Sequence, residues 1–439
     1  MAGNPRQAAY RVLMRCRRSG AWSEDAISSE IQKTSLSGRD GALCSRIVLG
    51  VLQNRTWLDF IIGTYCATPT EKLDPRVLDI LRLSAYQILF LDKIPVSAAV
   101  NEGVSLCRRE VNPGAAKLVN AVLRRIGEHR EQLPEVPGKG TAAYLATRYS
   151  HPLWLAEELA AEHGYAFAEA ALAANNEQPP VYAHANPLRP GTDLLTALAD
   201  FGAEPTDLPG CVSLRTTAGI TETEVFRNGG CYIQDAAARM AALAGGAKPG
   251  MTVLDACAAP GGKSVASAMA MENRGRVISC DIHEKKLRLI RENAARLGIN
   301  IIETRAGDAR RPDADLTGIA DLVIADVPCS GLGVIRRKPE IRWKDQAELD
   351  NLPAIQRDIL EGLAPCVRAG GVLLYSTCTV RTRENGGTVS AFLADHPEFT
   401  PEGFILPGSI GEVPSGQITL WPHLHGTDGF YICKMRKKS

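Results

Sequence analysis

Long apolar segments are missing from this chain of 439 residues. No run of 18 or more apolar residues is free of charge, which argues against a transmembrane helix. The first 20 residues carry five arginines and lack the apolar stretch that a secretory signal requires. With 45% apolar and 23% charged residues, the composition is typical of a soluble globular protein, and we expect a cytoplasmic location.

Paired cysteine motifs are also missing, although the chain has 12 cysteines. No two of them stand in a C-x-x-C arrangement, so a zinc site is disfavoured and we expect no metal. Without a secretory signal, a disulfide framework is disfavoured as well. Most of these thiols are therefore expected to be small buried apolar groups, and any functional cysteine has to be identified by its sequence context.

An excess of charge of one sign is absent, since the formal net charge is +1. Basic residues are nevertheless clustered in three segments: the first 18 residues, residues 105–130 and residues 334–344. For any single segment, a solvated helix face is the simpler interpretation. Three such segments in one chain favour a partner rich in phosphate groups, such as a nucleic acid.

The amino-terminal part of the chain has the pattern of a helical domain. Asp74 followed by Pro75 is typical of a helix start, and apolar residues then recur at helical spacing. Asn112 followed by Pro113 predicts a second such start. Residues 133–140, with two prolines and two glycines, predict a linker.

The remainder of the chain predicts two further folds. Residues 141–230 mix a helix near 153–162 with short β-like runs, after a break at Pro179 and Pro180. From residue 250, short apolar strands alternate with helical segments such as 284–297 and 349–367. This alternation is the pattern of a doubly wound α/β sheet.

A loop rich in small residues follows the first of these strands. It contains Cys257, Ala258, Ala259, Pro260, Gly261, Gly262 and Lys263. Its spacing is neither the dinucleotide fingerprint nor a P-loop, which favours a nucleoside ligand without phosphates, such as S-adenosylmethionine. Asp281, at the end of the next strand, suits a ribose diol, and Asp308 and Asp326 end later strands. A purely structural glycine turn is the alternative, which the three strand-end acids disfavour.

Two cysteines follow strands at the same predicted sheet edge. Cys329 stands three residues after Asp326, and Cys378 follows a later strand. Methylation of cytosine at C5 requires a thiolate that adds to C6, an acid near N3 and a base that removes the C5 proton. Asp326 is placed for the contact with N3, and Lys263 is one group that could lower the pKa of the attacking thiol. Buried packing is the alternative reading of any single cysteine.

These motifs resemble the RsmB (Sun/Fmu) family of ribosomal RNA cytosine-C5 methyltransferases, within the Nop2/Sun group. Residues 255–263, 326–333 and 376–379 look like the cofactor motif and two cysteine motifs of that family. Residues 334–343 resemble a stretch typical of RsmB, and residues 426–430 look like the closing motif. The amino-terminal part, through residues 74–95, 101–102 and 119–125, is similar to the RNA-binding antitermination factor NusB.

The resemblance implies a multidomain α plus α/β protein. We expect a NusB-like RNA-binding domain over 1–135, a small α/β RNA-binding module over 141–230 and a Rossmann-like methyltransferase domain over 231–439. It implies Cys378 as nucleophile, Cys329 as helper in product release and Asp326 at the base. The loop 257–263 with Asp281, Asp308 and Asp326 would hold S-adenosylmethionine. The implied partner is 16S ribosomal RNA before or during small-subunit assembly, with a monomeric enzyme.

Three other functions remain open at this point. One is an antitermination factor with an inactive methyltransferase domain, which the intact pair Cys329 and Cys378 disfavours. Another is an amino-group methyltransferase, disfavoured because Cys329 stands where such enzymes often have an aromatic residue. The last is the same chemistry on transfer RNA, against which only the NusB-like domain argues.

Overall fold

The computed structural model describes residues 3–439, and the chain divides into two compact units. Unit 1 contains the described part of Met1–Glu177 together with the short segment Ile335–Lys344. Unit 2 contains Gln178–Val334 and Asp345–Ser439. Because each unit has its own apolar core, each is described separately.

Unit 1 is helical throughout its described part. Its α-helices are α1 (Pro5–Ser19), α2 (Ser23–Thr34), α3 (Gly38–Gln53), α4 (Arg55–Tyr65), α5 (Pro75–Phe90), α6 (Val96–Glu110), α7 (Pro113–Glu128), α8 (Ala142–Arg148), α9 (Leu153–His163) and α10 (Tyr165–Ala174). Two 3₁₀ helices cover Thr70–Lys72 and Pro339–Trp343. Helices α1 to α7 surround a single buried apolar core.

The predicted helix starts in this unit are confirmed. The Asp74 carboxylate accepts a hydrogen bond from the Arg76 amide, and the Asn112 side chain accepts one from the Ala115 amide. Each cap satisfies a main-chain donor that the first helical turn would leave free. Pro75 and Pro113 take the first helical positions, where the missing N–H costs nothing.

The segment Ile335–Lys344 is held in unit 1 by buried polar contacts. The Arg342 side chain is 1% exposed, and its guanidinium donates to the carbonyl oxygens of Gln53, Ser150 and Asn175 at 2.8–2.9 Å and to the Asn176 side chain at 2.7 Å. Burial lowers the pKa of Arg342 to about 9. The Trp343 indole N–H donates to the Leu52 carbonyl at 3.0 Å. This segment therefore belongs to unit 1, although Gln178–Val334 of unit 2 separates it in sequence from the rest of that unit.

Unit 2 contains the strands β1 (Val181–Ala185), β2 (Glu204–Pro205), β3 (Cys211–Leu214), β4 (Cys231–Ile233), β5 (Thr252–Asp255), β6 (Arg276–Asp281), β7 (Ile302–Ala306), β8 (Ala320–Asp326), β9 (Val367–Thr377), β10 (Phe399–Pro401), β11 (Phe404–Leu406), β12 (Gly411–Val413), β13 (Gln417–Leu420) and β14 (Phe430–Lys437). Strands β1 to β4 form a small antiparallel sheet in the order β2-β3-β1-β4. Strands β11 and β12 pair separately as a hairpin.

The large sheet of unit 2 has the order β10-β14-β9-β8-β5-β6-β7, with β13 paired to β14. The five strands from β9 to β7 are parallel, while β14 pairs with β9 in the antiparallel sense. The connection from β5 leads to β6 on one side, and β8 lies on the other side. Such a switch point is where open α/β sheets bind ligands, at the carboxyl ends of the strands. The predicted doubly wound fold is thus confirmed.

The helices of unit 2 are α11 (Leu194–Ala197), α12 (Glu224–Arg227), α13 (Ala236–Gly245), α14 (Gly262–Ala270), α15 (Glu284–Leu297), α16 (Gln346–Asp350), α17 (Leu352–Leu363), α18 (Gly386–Asp395) and α19 (Pro422–His425). The prediction of one helix over 349–367 is wrong. Helix α17 begins with Pro353 in its first turn and ends at Leu363, two residues before Pro365. A proline cannot continue the helical hydrogen bonds, so the chain turns there into β9.

The division into units does not follow the predicted domain limits at 135, 141 and 231. Helices α8 to α10 belong to unit 1, and the unit boundary lies between Glu177 and Gln178. This is the place where Pro179 and Pro180 break the helical pattern. The small sheet β1 to β4 lies in the same unit as the large sheet. The assignment of RNA-binding roles to 1–135 and 141–230 and of a catalytic role to 231–439 therefore stays a prediction.

Candidate active site

The loop after β5 is fixed by main-chain hydrogen bonds to the neighbouring strand. The Ala258 amide donates to the Cys280 carbonyl at 2.8 Å, and the Gly261 amide donates to the Ala258 carbonyl at 2.6 Å. Gly261 has φ +105°, and a Cβ there would lie 3.0 Å from the Ile290 side chain. Only glycine fits this conformation without strain. The predicted cofactor loop 257–263 therefore lies at the switch point of the sheet.

A buried carboxyl group supports this loop from below. Asp255 is fully buried, and its Oδ2 accepts a hydrogen bond from Ser264 Oγ at 2.6 Å. Ser279 Oγ extends this series of hydrogen bonds by donating to Ser264 Oγ at 2.7 Å. Burial raises the pKa of Asp255 to about 7. We assign Asp255 to the support of the loop, because its side chain is not accessible to a ligand.

Asp281 lies at the end of β6, with both carboxylate oxygens oriented by main-chain donors. The His283 amide donates to Oδ1 at 2.8 Å, and the Ala259 amide donates to Oδ2 at 3.2 Å. Each oxygen keeps acceptor capacity, which suits the two hydroxyls of a ribose. The next residue, Ile282, is 59% exposed and offers an apolar surface beside this carboxylate. Sequence reasoning missed Ile282, although an isoleucine directly after a strand-end acid was a usable signal.

Asp308 lies at the same end of the sheet but is engaged differently. The Gly307 amide donates to the Asp281 carbonyl at 3.1 Å, which places the loop after β7 beside β6. The Asp308 carboxylate, however, accepts hydrogen bonds from the Arg310 guanidinium at 2.7–3.1 Å. This contact lowers the pKa of Asp308. Of the three predicted acids, Asp308 is therefore the one whose side chain is held by a guanidinium.

Lys263 and Asp326 form a close ion pair between the cofactor loop and the end of β8. Lys263 Nζ lies 2.6 Å from Asp326 Oδ2, and Ser376 Oγ donates to Asp326 Oδ1 at 2.8 Å. The Lys263 side chain is 8% exposed, whereas that of Asp326 is 30% exposed. A pair with one partly desolvated partner is stronger than a surface ion pair. Sequence reasoning missed Ser376, which orients the carboxylate.

The two predicted cysteines meet at this edge of the sheet. Cys329 Sγ and Cys378 Sγ are 3.2 Å apart, and both are free thiols with partial exposure. The hydrogen bond from Cys329 lowers the pKa of Cys378, to which the charge of Lys263 also contributes. The same bond raises the pKa of Cys329 well above its ordinary value. The pair is therefore asymmetric, because the same contact favours ionisation of Cys378 and disfavours ionisation of Cys329.

Two glycines allow the loops of this pair to pack closely. The Gly333 amide donates to the Cys378 carbonyl at 3.0 Å, and the Gly429 amide donates to the Gly333 carbonyl at 2.9 Å. A Cβ at Gly333 would lie 1.9 Å from the Gly429 carbonyl oxygen, so no other residue fits there. The hydroxyls of Ser330 and Thr379 are 2.7 Å apart and join the residues that follow the two cysteines. Both cysteine loops are thus rigidly connected.

Comparison with known proteins gives this arrangement a family. The model for 16S rRNA methyltransferase RsmB/F matches residues 242–436, and the NusB family model matches residues 3–128. The chain is 38% identical to the probable ribosomal RNA small subunit methyltransferase B of Bacillus subtilis (strain 168), covering 99% of this chain and 98% of that protein. The chain belongs to the RsmB family of ribosomal RNA methyltransferases.

Further relatives of this RsmB-family chain agree. The probable ribosomal RNA small subunit methyltransferase B of Synechocystis sp. is 34% identical, with 98% of this chain and 99% of that protein covered. The crystal structure of PH0851 has a TM-score of 0.79 at 24% identity, with both chains covered completely, and it supports the fold. Within residues 3–439, no helix combines the length and the apolar character that crossing a bilayer demands.

The RsmB-family chain uses S-adenosylmethionine as its methyl donor, as its sequence predicted. The residues of the site fit this cofactor. Asp281 presents oriented acceptors for ribose hydroxyls, Ile282 presents an apolar side chain, and the loop at Gly261 has no side chain that would fill the space at the switch point. The carboxylate of Asp326 supplies negative charge, which suits a cationic sulfonium. S-adenosylmethionine has no phosphate group, which agrees with the absence of a P-loop from this sequence.

Proposed function

We propose that this RsmB-family enzyme methylates C5 of a cytosine in 16S ribosomal RNA through a covalent bond between Cys378 and C6 of the base. The observation that supports this proposal is the asymmetric cysteine pair, with its sulfur atoms 3.2 Å apart, next to the ion pair of Lys263 and Asp326. Methylation of a ring carbon requires a thiolate nucleophile, whereas methylation of a nitrogen atom does not. A transfer RNA substrate for the same chemistry is the alternative outcome of the tests below.

The first step is the attack of Cys378 on the base. Its thiolate forms the S–C6 bond, and the π electrons of the C5–C6 bond move into the ring, so that negative charge develops at N3. Asp326 contacts N3 in this scheme. Because Lys263 Nζ donates to Asp326 at 2.6 Å, the proton that N3 receives comes from the lysine through the carboxyl group.

The second and third steps methylate C5 and release the product. When bound, S-adenosylmethionine would supply an electrophilic methyl group, which the enamine carbon C5 takes as the sulfonium S–CH3 bond breaks and S-adenosylhomocysteine leaves. Once Cys378 is bonded to C6, its negative charge no longer opposes the ionisation of Cys329, and the Cys329 proton passes to solvent. The Cys329 thiolate then takes the C5 proton, the electron pair re-forms the C5–C6 double bond, and the S–C6 bond breaks to return the Cys378 thiolate. N3 gives its proton back to Lys263 through Asp326. The high pKa of Cys329 suits this role, since a group of high pKa is a stronger base once it is ionised.

The cofactor site that we propose consists of Cys257, Ala258, Ala259, Pro260, Gly261, Gly262, Lys263, Asp281, Asp308 and Asp326. Asp281 holds the ribose in this scheme, and Asp326 serves both cofactor and base. We propose that the substrate is 16S ribosomal RNA before or during small-subunit assembly, that the NusB-like domain supplies RNA affinity, and that the enzyme acts as a cytoplasmic monomer.

A denaturing gel tests the two cysteine roles. We expect Cys329→Ala to trap a covalent protein–RNA adduct when it is incubated with substrate RNA and cofactor, because nothing removes the C5 proton. Cys378→Ala should form no adduct. An adduct that appears only with Cys378→Ala would reverse the assignment. Bisulfite mapping of ribosomal and transfer RNA from cells with and without the gene then identifies the modified cytosine.

A further inference from the structure

Glu384 is a fully buried acid directly behind the Cys329 loop, and the reaction scheme above does not use it. Its side chain is 0% exposed. Its Oε2 accepts hydrogen bonds from the Ser330 amide at 2.9 Å and from Gln356 Nε2 at 3.0 Å. Its own carbonyl accepts a hydrogen bond from the Tyr375 hydroxyl at 2.6 Å. Hydrogen bonds therefore hold both the side chain and the main-chain carbonyl of Glu384, close to the two cysteines.

The second carboxyl oxygen of Glu384 is an anomaly for a stabilising residue. Within residues 3–439, Oε1 is buried and has no hydrogen-bond partner. Leaving a buried acceptor unpaired costs free energy, and burying a carboxylate costs more. A glutamine could accept the same hydrogen bonds with a smaller penalty. An acid at this position therefore indicates a role other than stabilising the fold.

The contact with Ser330 gives Glu384 control over the position of Cys329. The Ser330 amide is part of the peptide group that follows Cys329, so its hydrogen bond to Glu384 fixes the orientation of that peptide. The link between Ser330 Oγ and Thr379 Oγ1 then fixes this peptide against the Cys378 loop. Both contacts join the chain around Cys329 to the chain around Cys378, whose sulfur atoms lie 3.2 Å apart.

The charges around the cysteine pair are arranged in opposite senses. Lys263 lowers the pKa of Cys378, a smaller effect than the hydrogen bond from Cys329, while burial and Asp326 oppose it. On the other side, Glu384 adds to the causes that raise the pKa of Cys329, after the bond to Cys378 and burial. A proton shared by the two thiols therefore favours Cys329, the thiol whose pKa both Cys378 and Glu384 raise.

We propose that Glu384 is a positioning residue that holds Cys329 next to Cys378 and keeps it protonated, so that Cys378 alone is the nucleophile of the resting enzyme. This inference rests on the proposed function. In this proposal, a buried acid that contacts neither the base nor the cofactor determines which of the two neighbouring thiols is the nucleophile. Without the acid, the two thiols would share the negative charge more evenly.

The test measures the alkylation of individual cysteines in the full-length protein without RNA. The protein is treated with iodoacetamide between pH 6 and 9, and peptide mass spectrometry gives the rate at Cys329 and at Cys378. In the wild type we expect Cys378 to react first. In Glu384→Gln we expect the rate at Cys329, relative to Cys378, to rise by about tenfold, because a nearby negative charge that opposed ionisation is lost.

Two further variants separate charge from other effects. Glu384→Asp keeps the charge and should keep the wild-type preference for Cys378, while a shorter side chain lowers the methylation rate. Glu361→Gln is the matched control, since it makes the same change on α17 at a residue whose partners are Arg357 and His396. It should alter neither cysteine. S-adenosylmethionine affinity, measured by calorimetry, should be unchanged in every variant and reports correct folding.

The outcomes distinguish the two proposals. Equal alkylation of both cysteines in the wild type would contradict the proposed function. A wild type that prefers Cys378, together with the same preference in Glu384→Gln, would overturn the role of Glu384 alone. If Glu384→Gln binds no cofactor, Glu384→Asp decides, because loss of the preference in that variant would show that position rather than charge controls the pair.

Discussion

At the scale of single residues, the reactivity of Cys378 depends first on the hydrogen bond from Cys329 and then on nearby charges of both signs. Lys263 favours its thiolate, whereas Asp326 and burial oppose ionisation. The ion pair between Lys263 and Asp326 therefore does two things, since it orients the acid and tunes the nucleophile. A thiolate with a lowered pKa reacts at lower pH than an ordinary thiol.

Lys263→Met should shift the pH dependence of Cys378 alkylation toward higher pH. The positive charge that favours the thiolate is lost, so the pKa of Cys378 rises and the reactive form appears only at more alkaline pH. Asp326→Asn should shift the same profile in the opposite direction, because it removes a negative charge. Alkylation rates measured from pH 6 to 10 check both variants. A common direction for the two shifts would contradict this electrostatic account.

Asp281→Ala should weaken S-adenosylmethionine binding about tenfold or more. Hydrogen bonds to a charged group contribute about 1.5–3 kcal/mol, and the ribose hydroxyls would lose them. Asp308→Ala should have a smaller effect, because the Asp308 carboxylate already accepts hydrogen bonds from Arg310. Calorimetric titration of both variants compares the two acids. A dissociation constant that is unchanged in Asp281→Ala would remove Asp281 from the site.

At the scale of elements, periodicity and capping residues made most of the fold predictable. The helices at Pro75 and Pro113 and the strands that end at Asp281 and Asp326 are where the sequence predicts them. The acids and cysteines followed from the rule that parallel strands expose their carboxyl ends at one edge. Glu384 and Ser376 were missed because their importance comes from which amide or carboxylate they contact, and spacing does not encode that.

The segment Ile335–Lys344 was unpredictable for a related reason. Arg342 is bound mainly by main-chain carbonyl groups, at positions 53, 150 and 175 among others. A main-chain carbonyl is the same group whatever the residue type, so no sequence pattern identifies these partners. The basic character of residues 334–344 suggested an RNA contact, yet its arginine at 342 is a buried part of unit 1.

Arg342→Met should destabilise unit 1 by about 3 kcal/mol. The change keeps an apolar stem of similar length but leaves several buried carbonyl groups without donors, at about 1–3 kcal/mol each before relaxation. Urea unfolding followed by the fluorescence of the tryptophans would show an earlier transition. Arg342→Lys should recover only part of the loss, because an ammonium has fewer donors than a guanidinium. Full recovery of stability in Arg342→Lys would mean that the positive charge, and not the number of hydrogen-bond donors, stabilises unit 1.

At the scale of the whole molecule, the basic surface available to RNA is smaller than the sequence suggests. Three of the five arginines near the amino terminus are used inside unit 1: Arg6 contacts Gln87, Arg11 contacts Glu30 and Arg17 contacts Asp79. Arg124 and Arg125, on α7, are exposed. The arginines expected to carry affinity for RNA are therefore the exposed ones, Arg15 and Arg18 on α1 and Arg124 and Arg125 on α7.

Replacing Arg124 and Arg125 with glutamate should weaken RNA binding and make it less sensitive to salt. Each lost phosphate contact should reduce the slope of log affinity against log salt by about 0.7–0.9. A control in which Lys33 and Lys93 are changed to glutamate alters the net charge equally at exposed sites outside the basic segments. Filter-binding titrations at several salt concentrations compare the two. Equal slopes in both variants would mean that α7 makes no specific phosphate contact.

The segment Ile335–Lys344 is translated long after the rest of unit 1, and this affects folding during synthesis on the ribosome. The helices of unit 1 emerge first, but their core is complete only after residue 344 has been translated. At about 5–20 residues per second, the stretch from 177 to 344 takes roughly 10–30 s. During that interval Arg342 is not yet available to the carbonyl groups at positions 53, 150 and 175. The nascent chain is thus most exposed to proteases and chaperones while its catalytic half is still being made.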